Sequence, residues 1–119
     1  MGQSLIPSDD KLTFDVKKEN IVSIFYADTP EAIIAQQLKN YKAEPAIPFS
    51  NPVTLTDDNF GKVEKIYLYA LYDTAITFDL QKQMVKKSVV GKTYELHSSH
   101  TPIFSMPEKV AEIILKESE

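Results

Sequence analysis

The chain has 119 residues, 43% of them hydrophobic and 25% charged, with a formal net charge of −4. That suffices for one domain of ordinary globular composition, and the acidic balance argues against nucleic acid or an anionic membrane as the main partner, since both reward a basic patch. All 13 cationic side chains are lysine, so the planar fork that grips phosphate bidentately is missing, and the lack of cysteine excludes disulfides and thiolate metal sites.

With no cysteine the expected compartment is the cytoplasm. No apolar run approaches the ~18 residues of a membrane-spanning helix. The opening MGQSLIPS lacks a basic and apolar leader, and Ile6 stands where myristoylation would want serine or threonine, so no targeting segment is expected.

In chain order, Leu12, Phe14 and Val16 alternate as in a strand. After a segment from Asn20 to Tyr26, a helix is predicted from Pro30 to about Lys42, with Thr29 as N-cap, Pro30 in the first position, and Asp28 and Glu31 favouring the positive end of the dipole. Composition then shifts near residue 45. Pro45, Pro48 and Pro52 in AEPAIPFSNPV remove donors and fix φ, which reads as an extended connector.

From there the pattern is strand, helix, strand, helix. KIYLYAL, beginning at Lys65, is apolar on both faces, as a strand covered on two sides reads in a parallel sheet. A helix follows from about Phe78 to Val89, closed by Gly91 as the residue past its end, with Lys86 and Lys87 complementing its C-terminal dipole. A second strand, Thr93 to His97, leads into SSHTPIF. Ser105 and Glu108 have capping-box spacing around Pro107, and Met106, Val110, Ile113 and Ile114 recur on one face of the last helix. Alternating elements of this kind predict a right-handed βαβ crossover and an α/β fold. Two parallel strands make no stable sheet by themselves, so further structure should adjoin them.

Asp73 follows the first of these strands and His100 the second. Residues just past the C-terminal ends of adjacent parallel strands lie side by side, so the two can meet; a carboxylate there would orient the imidazole and stabilise its protonated form. The spacing equally allows Asp73 to be a plain turn former and His100 a solvated loop residue.

The run VTLTDDNFGKVEKIYLYALYDTAITFDLQKQMV, followed by TYELHSSHTPIFSMPEKVAEII, closely resembles the C-terminal part of α/β-hydrolases in the branch of plant methylesterases, hydroxynitrile lyases and bacterial relatives. The resemblance is carried by Thr56, Asp57, Phe60, Gly61 and Val63 before the strand, Asp73 after it, and His100, Pro102, Ser105 and Pro107 after the next. NIVSIFYADTPEAIIAQQL looks like that family's active-site cap. The resemblance implies a mainly helical cap segment over residues 1–45, a βαβα core part over residues 46–119, and a Ser-His-Asp triad with Asp73 as acid and His100 as general base. It further implies a small-molecule ester as substrate and no cofactor.

The family's serine sits in a G-x-S-x-G turn. With only Gly2, Gly61 and Gly91, these residues contain no such turn; Gly2-Gln3-Ser4 has its first half, but Ile6 replaces the second glycine. The serine is expected upstream of residue 1, and the chain alone is expected to be inactive, whether it is a fragment, a truncated gene product or part of an assembly. Thr77 departs from a proline common in relatives. Thr101 after His100 is not the lysine that marks many lyases of this branch, which favours esterase chemistry.

The outer edge of KIYLYAL should be unpaired, so a homo-oligomer or strand-swapped dimer is expected. A non-catalytic remnant or self-associating interaction module is the competing reading. His97 and His100 make a poor metal pair without a nearby carboxylate or thiolate, and no metal is expected. Tyr67, Tyr69 and Tyr72 read as core sooner than as pocket lining. Phe25, Tyr26, Ile33 and Leu38 fit either packing or substrate contact and receive no role.

Overall fold

A computed structural model describes residues 4–119. Gly2 and Gln3 of the half-motif above lie outside the described residues.

Residues before the connector form a small antiparallel sheet, β1 (Leu5–Pro7), β2 (Thr13–Val16) and β3 (Glu44–Pro45) in that order, with helices α1 (Ile21–Phe25) and α2 (Glu31–Asn40) between β2 and β3. Leu5 faces Val16 and Phe14 faces Glu44 in the register. The predicted alternation is β2, whose Val16 joins Ile21 and Ile24 in a buried cluster that Leu5, Phe25, Tyr26, Tyr41 and Ala75 pack against. The connector is less extended than its prolines suggest. Pro48 is accommodated in the first turn of α3 (Ile47–Ser50), where its missing N–H costs nothing.

Two predicted caps are not realised. Pro30 is the N-cap of α2, and the Thr29 hydroxyl is buried without a partner among the described residues. Ser105 ends α5 (Pro102–Ser105) and Met106 is the N-cap of α6 (Pro107–Glu117), with no side-chain cap bond.

The second sheet is parallel: β4 (Ile66–Ala70) pairs with β5 (Lys92–Leu96) from Ile66 opposite Lys92 to Ala70 opposite Leu96. Helix α4 (Phe78–Lys87) makes the crossover. Its exit uses Val89, at φ 50°, where glycine was expected; Gly91 instead donates its N–H to Lys65 O at 3.0 Å and opens the β-ladder. A β-branched residue in the left-handed region is strained.

Gly91 to Lys65 and the bond from Leu71 N–H to Leu96 O (3.0 Å) show that odd-numbered residues of this stretch face β5. Ile66, Leu68 and Ala70 therefore turn their backbone groups to the other edge. At Ala70 that edge is closed by Gln81, a side chain only 2% exposed: its Oε1 accepts from Ala70 N–H (3.0 Å) and its Nε2 donates to Ala70 O (2.9 Å) and Ile76 O (2.8 Å). The carboxamide thus substitutes for a neighbouring strand. Ile66 and Leu68 have no strand beside them among the described residues.

Side chains alternate across β4. Tyr69 packs edge-on to Phe78 of α4 and is buried, core as expected, while Tyr67 beside it is half-buried. Ile66 and Leu68 face α6 across an open apolar groove of about 380 Å³ that Val110, Ile113 and Ile114 also line.

Candidate functional site

Past the end of β4 the chain turns through Asp73, which is 8% exposed. Its Oδ1 accepts the N–H groups of Ala75 (2.7 Å) and Ile76 (3.0 Å), a side-chain-closed turn. Its Oδ2 lies 2.9 Å from His100 Nδ1. An ionised carboxylate only accepts, so in that state Nδ1 carries the proton and Nε2 is left as the basic nitrogen. Turn former and histidine partner are one residue, with one oxygen given to each task.

His100 is held past the end of β5 by a loop whose Ser98 and Ser99 are 0% and 3% exposed. Ser98 O accepts from Tyr72 N–H at 2.9 Å, so the Ser98 segment is tied to the turn that precedes Asp73. Ser99 donates its backbone N–H to Asp28 Oδ2 at 2.8 Å and its hydroxyl to Asp28 Oδ1. Asp28 was expected to serve the α2 dipole; it binds the histidine loop instead. Nothing in its local sequence signals a partner 71 positions away. Burial pushes the Asp28 carboxyl up, but the Ser99 hydroxyl and amide outweigh that and hold it below its ordinary value of 3.8. The buried Ser105 hydroxyl faces the same carboxylate and adds to the lowering without closing a well-formed hydrogen bond.

The imidazole of His100 opens on a cavity of about 520 Å³ between the N-terminal segment and the histidine loop, a size suited to a small ligand. Phe14, Phe25, Tyr26, Tyr41 and Phe49 give it an aromatic wall, and the Phe25 ring centroid lies 5.3 Å from that of His100. Tyr41 donates to Asp15 Oδ1 at 2.9 Å; burial first, then this bond, raises its phenol pKa. Of the four residues left without a role, Phe25 and Tyr26 line the cavity while Ile33 and Leu38 do not.

Other candidates lie apart from it. Tyr72 is 62% exposed, unlike the core residue expected, and its hydroxyl is 2.9 Å from His97 Nδ1. No cluster of three or more metal-ligating side chains occurs among the described residues, and no helix there is long and apolar enough to cross a membrane.

No protein-family model matches the sequence. Putative methylesterase 11, chloroplastic, of Arabidopsis thaliana is 28% identical over 103 residues, spanning 86% of this chain and 26% of the relative. A pyrethroid hydrolase of Sphingobium wenxiniae is 29% identical over 101 residues, spanning 81% of this chain and 34% of the relative. Among solved structures, a methylesterase protein from Arabidopsis superposes with a TM-score of 0.82 at 21% identity, over 93% of this chain and 49% of that one. The chain therefore spans about half the length of that structure and about a quarter to a third of these curated relatives. By fold the 119 residues match the C-terminal part of an α/β-hydrolase, and by sequence they are homologous to methylesterases and a pyrethroid hydrolase.

Proposed function

We propose that these residues are the acid-and-base half of a serine esterase, acting on a small ester whose apolar part occupies the aromatic cavity. The observation that carries the reading is the 2.9 Å pairing of Asp73 Oδ2 with His100 Nδ1 at the wall of that cavity. The serine and its oxyanion hole belong to polypeptide outside these 119 residues, which hold no G-x-S-x-G turn. His100 Nε2 takes the serine proton as Oγ attacks the ester carbonyl, and Asp73 stabilises the imidazolium. The same proton passes to the departing alkoxide. Water, deprotonated by the same nitrogen, then releases the acid and restores the serine. Esterase chemistry is preferred to cyanohydrin cleavage because Thr101, not lysine, follows His100, and its hydroxyl donates to Phe25 O at 2.6 Å.

A fluorophosphonate probe tests this. The chain alone should remain unlabelled, whereas the chain joined to a polypeptide carrying the G-x-S-x-G half of the fold should label on that serine. His100→Ala in the joined form should abolish labelling. Labelling of the chain alone, or undiminished labelling of the His100→Ala form, refutes the assignment. The edge of β4 at Ile66 and Leu68, with no strand beside it among the described residues, favours a second reading, a self-associating module without catalysis.

A further inference from the structure

Two short contacts from the N-terminal segment bracket His100. On one side the Asp28 carboxylate takes both the amide and the hydroxyl of Ser99; on the other, Thr101 Oγ1 donates to Phe25 O at 2.6 Å. Between them the Phe25 ring stands 5.3 Å from the imidazole. Ser99 is 3% exposed and its amide and hydroxyl both end on Asp28, and a carboxylate gripping two donors of one residue fixes the peptide plane from which the next side chain departs. Asp28 itself does not line the cavity and makes no cap for α2.

We propose that Asp28 is a positioning residue for His100, its two-pronged hold on Ser99 setting the imidazole so that Nδ1 meets Asp73 and Nε2 faces the cavity. This rests on the reading of His100 as the base. It makes seating of the N-terminal segment a condition for a correctly aimed base, since the same carboxylate performs both. A misplacement of about 1 Å at a reacting group lowers turnover about 100-fold, so in the joined enzyme Asp28→Ala should lower kcat by about that factor with KM little changed.

Long-range ¹H–¹⁵N correlation spectra of the chain report the imidazole tautomer directly. The wild-type chain should show His100 as a single Nδ1–H form with a slowly exchanging Nδ1 proton. Asp28→Ala should give mixed tautomers and lose that proton to exchange, and Asp28→Glu should restore the single form. Resonances of the buried Gln81 carboxamide report the fold in each variant, and the isosteric Asp28→Asn replaces Asp28→Ala if the latter loses them. A folded Asp28→Ala or Asp28→Asn chain that keeps the fixed tautomer and the slow exchange overturns the positioning role and leaves the Asp73–His100 pair standing. A wild-type chain with no preferred tautomer overturns both.

Discussion

One carboxylate, Asp73, closes a turn with Oδ1 and faces the His100 imidazole with Oδ2, so the mundane and the proposed catalytic interpretations of a strand-end aspartate coexist in it. Its pairing with His100 was legible because the turn is local and the residues that carry the α/β-hydrolase resemblance surround it. Asp28 was not, because its partner lies 71 positions away and a carboxylate before a Thr-Pro helix start already has a sufficient local explanation. Its lowered pKa gives a pH signature. The folded value lies below the unfolded one, so the stability contributed by the Ser99 contact is complete above 3.8 and is lost as pH falls through the lowered value. Titrated downward from neutrality, the Ser99 amide resonance should hold its position until below 3.8 and then move toward an unbonded shift; in Asp28→Asn that step should vanish. A step centred above 3.8 would contradict the assignment.

Among the elements, β4 has a strand on one edge only, and Gln81 shows how its last residue copes with the other. A polar residue in a helix facing the core reads from sequence as an interruption of the apolar stripe, yet here it satisfies the edge groups of Ala70 from the crossover helix. Gln81→Leu would leave the Ala70 N–H buried and unbonded and free two carbonyl contacts. Losing these should cost about 3 kcal/mol, read as a lower urea midpoint at unchanged slope. A variant within experimental error of wild type would show that the edge finds other partners. Helix α6 is tied to β5 through Lys92 Nζ to Glu117 Oε1 at 2.5 Å and through Tyr94 to the same carboxylate, while its apolar residues Ile113 and Ile114 look across the groove at Ile66 and Leu68. The periodicity of α6 was readable; its second packing surface was not, because no element of these residues supplies it.

At the scale of the molecule, 13.5 kDa of folded monomer would expose about 6,500 Å². The chain exposes 8889 Å², and its radius of gyration of 16.1 Å exceeds the roughly 13.5 Å of a closed domain of this length. A surplus of roughly 2,400 Å² per chain is on the scale of an obligate interface. We expect sedimentation equilibrium of the chain to give a concentration-dependent mass above 13.5 kDa. Ile66→Pro should shift it to monomer, because proline removes an N–H from the open edge without touching the ladder to β5. A monomer at high concentration in the wild type would sink that expectation. The absence of cysteine had already excluded disulfides and thiolate metal sites within these residues, and local patterns gave the βαβ crossover and the two strand ends, since turns, periodicity and motif spacing are short-range properties. Only the tertiary structure joined Asp28 to Ser99, handed the left-handed helix exit to Val89, set Gln81 against Ala70 and closed an aromatic cavity over His100. Each of those depends on which distant surfaces come into contact, and a linear pattern carries no record of that.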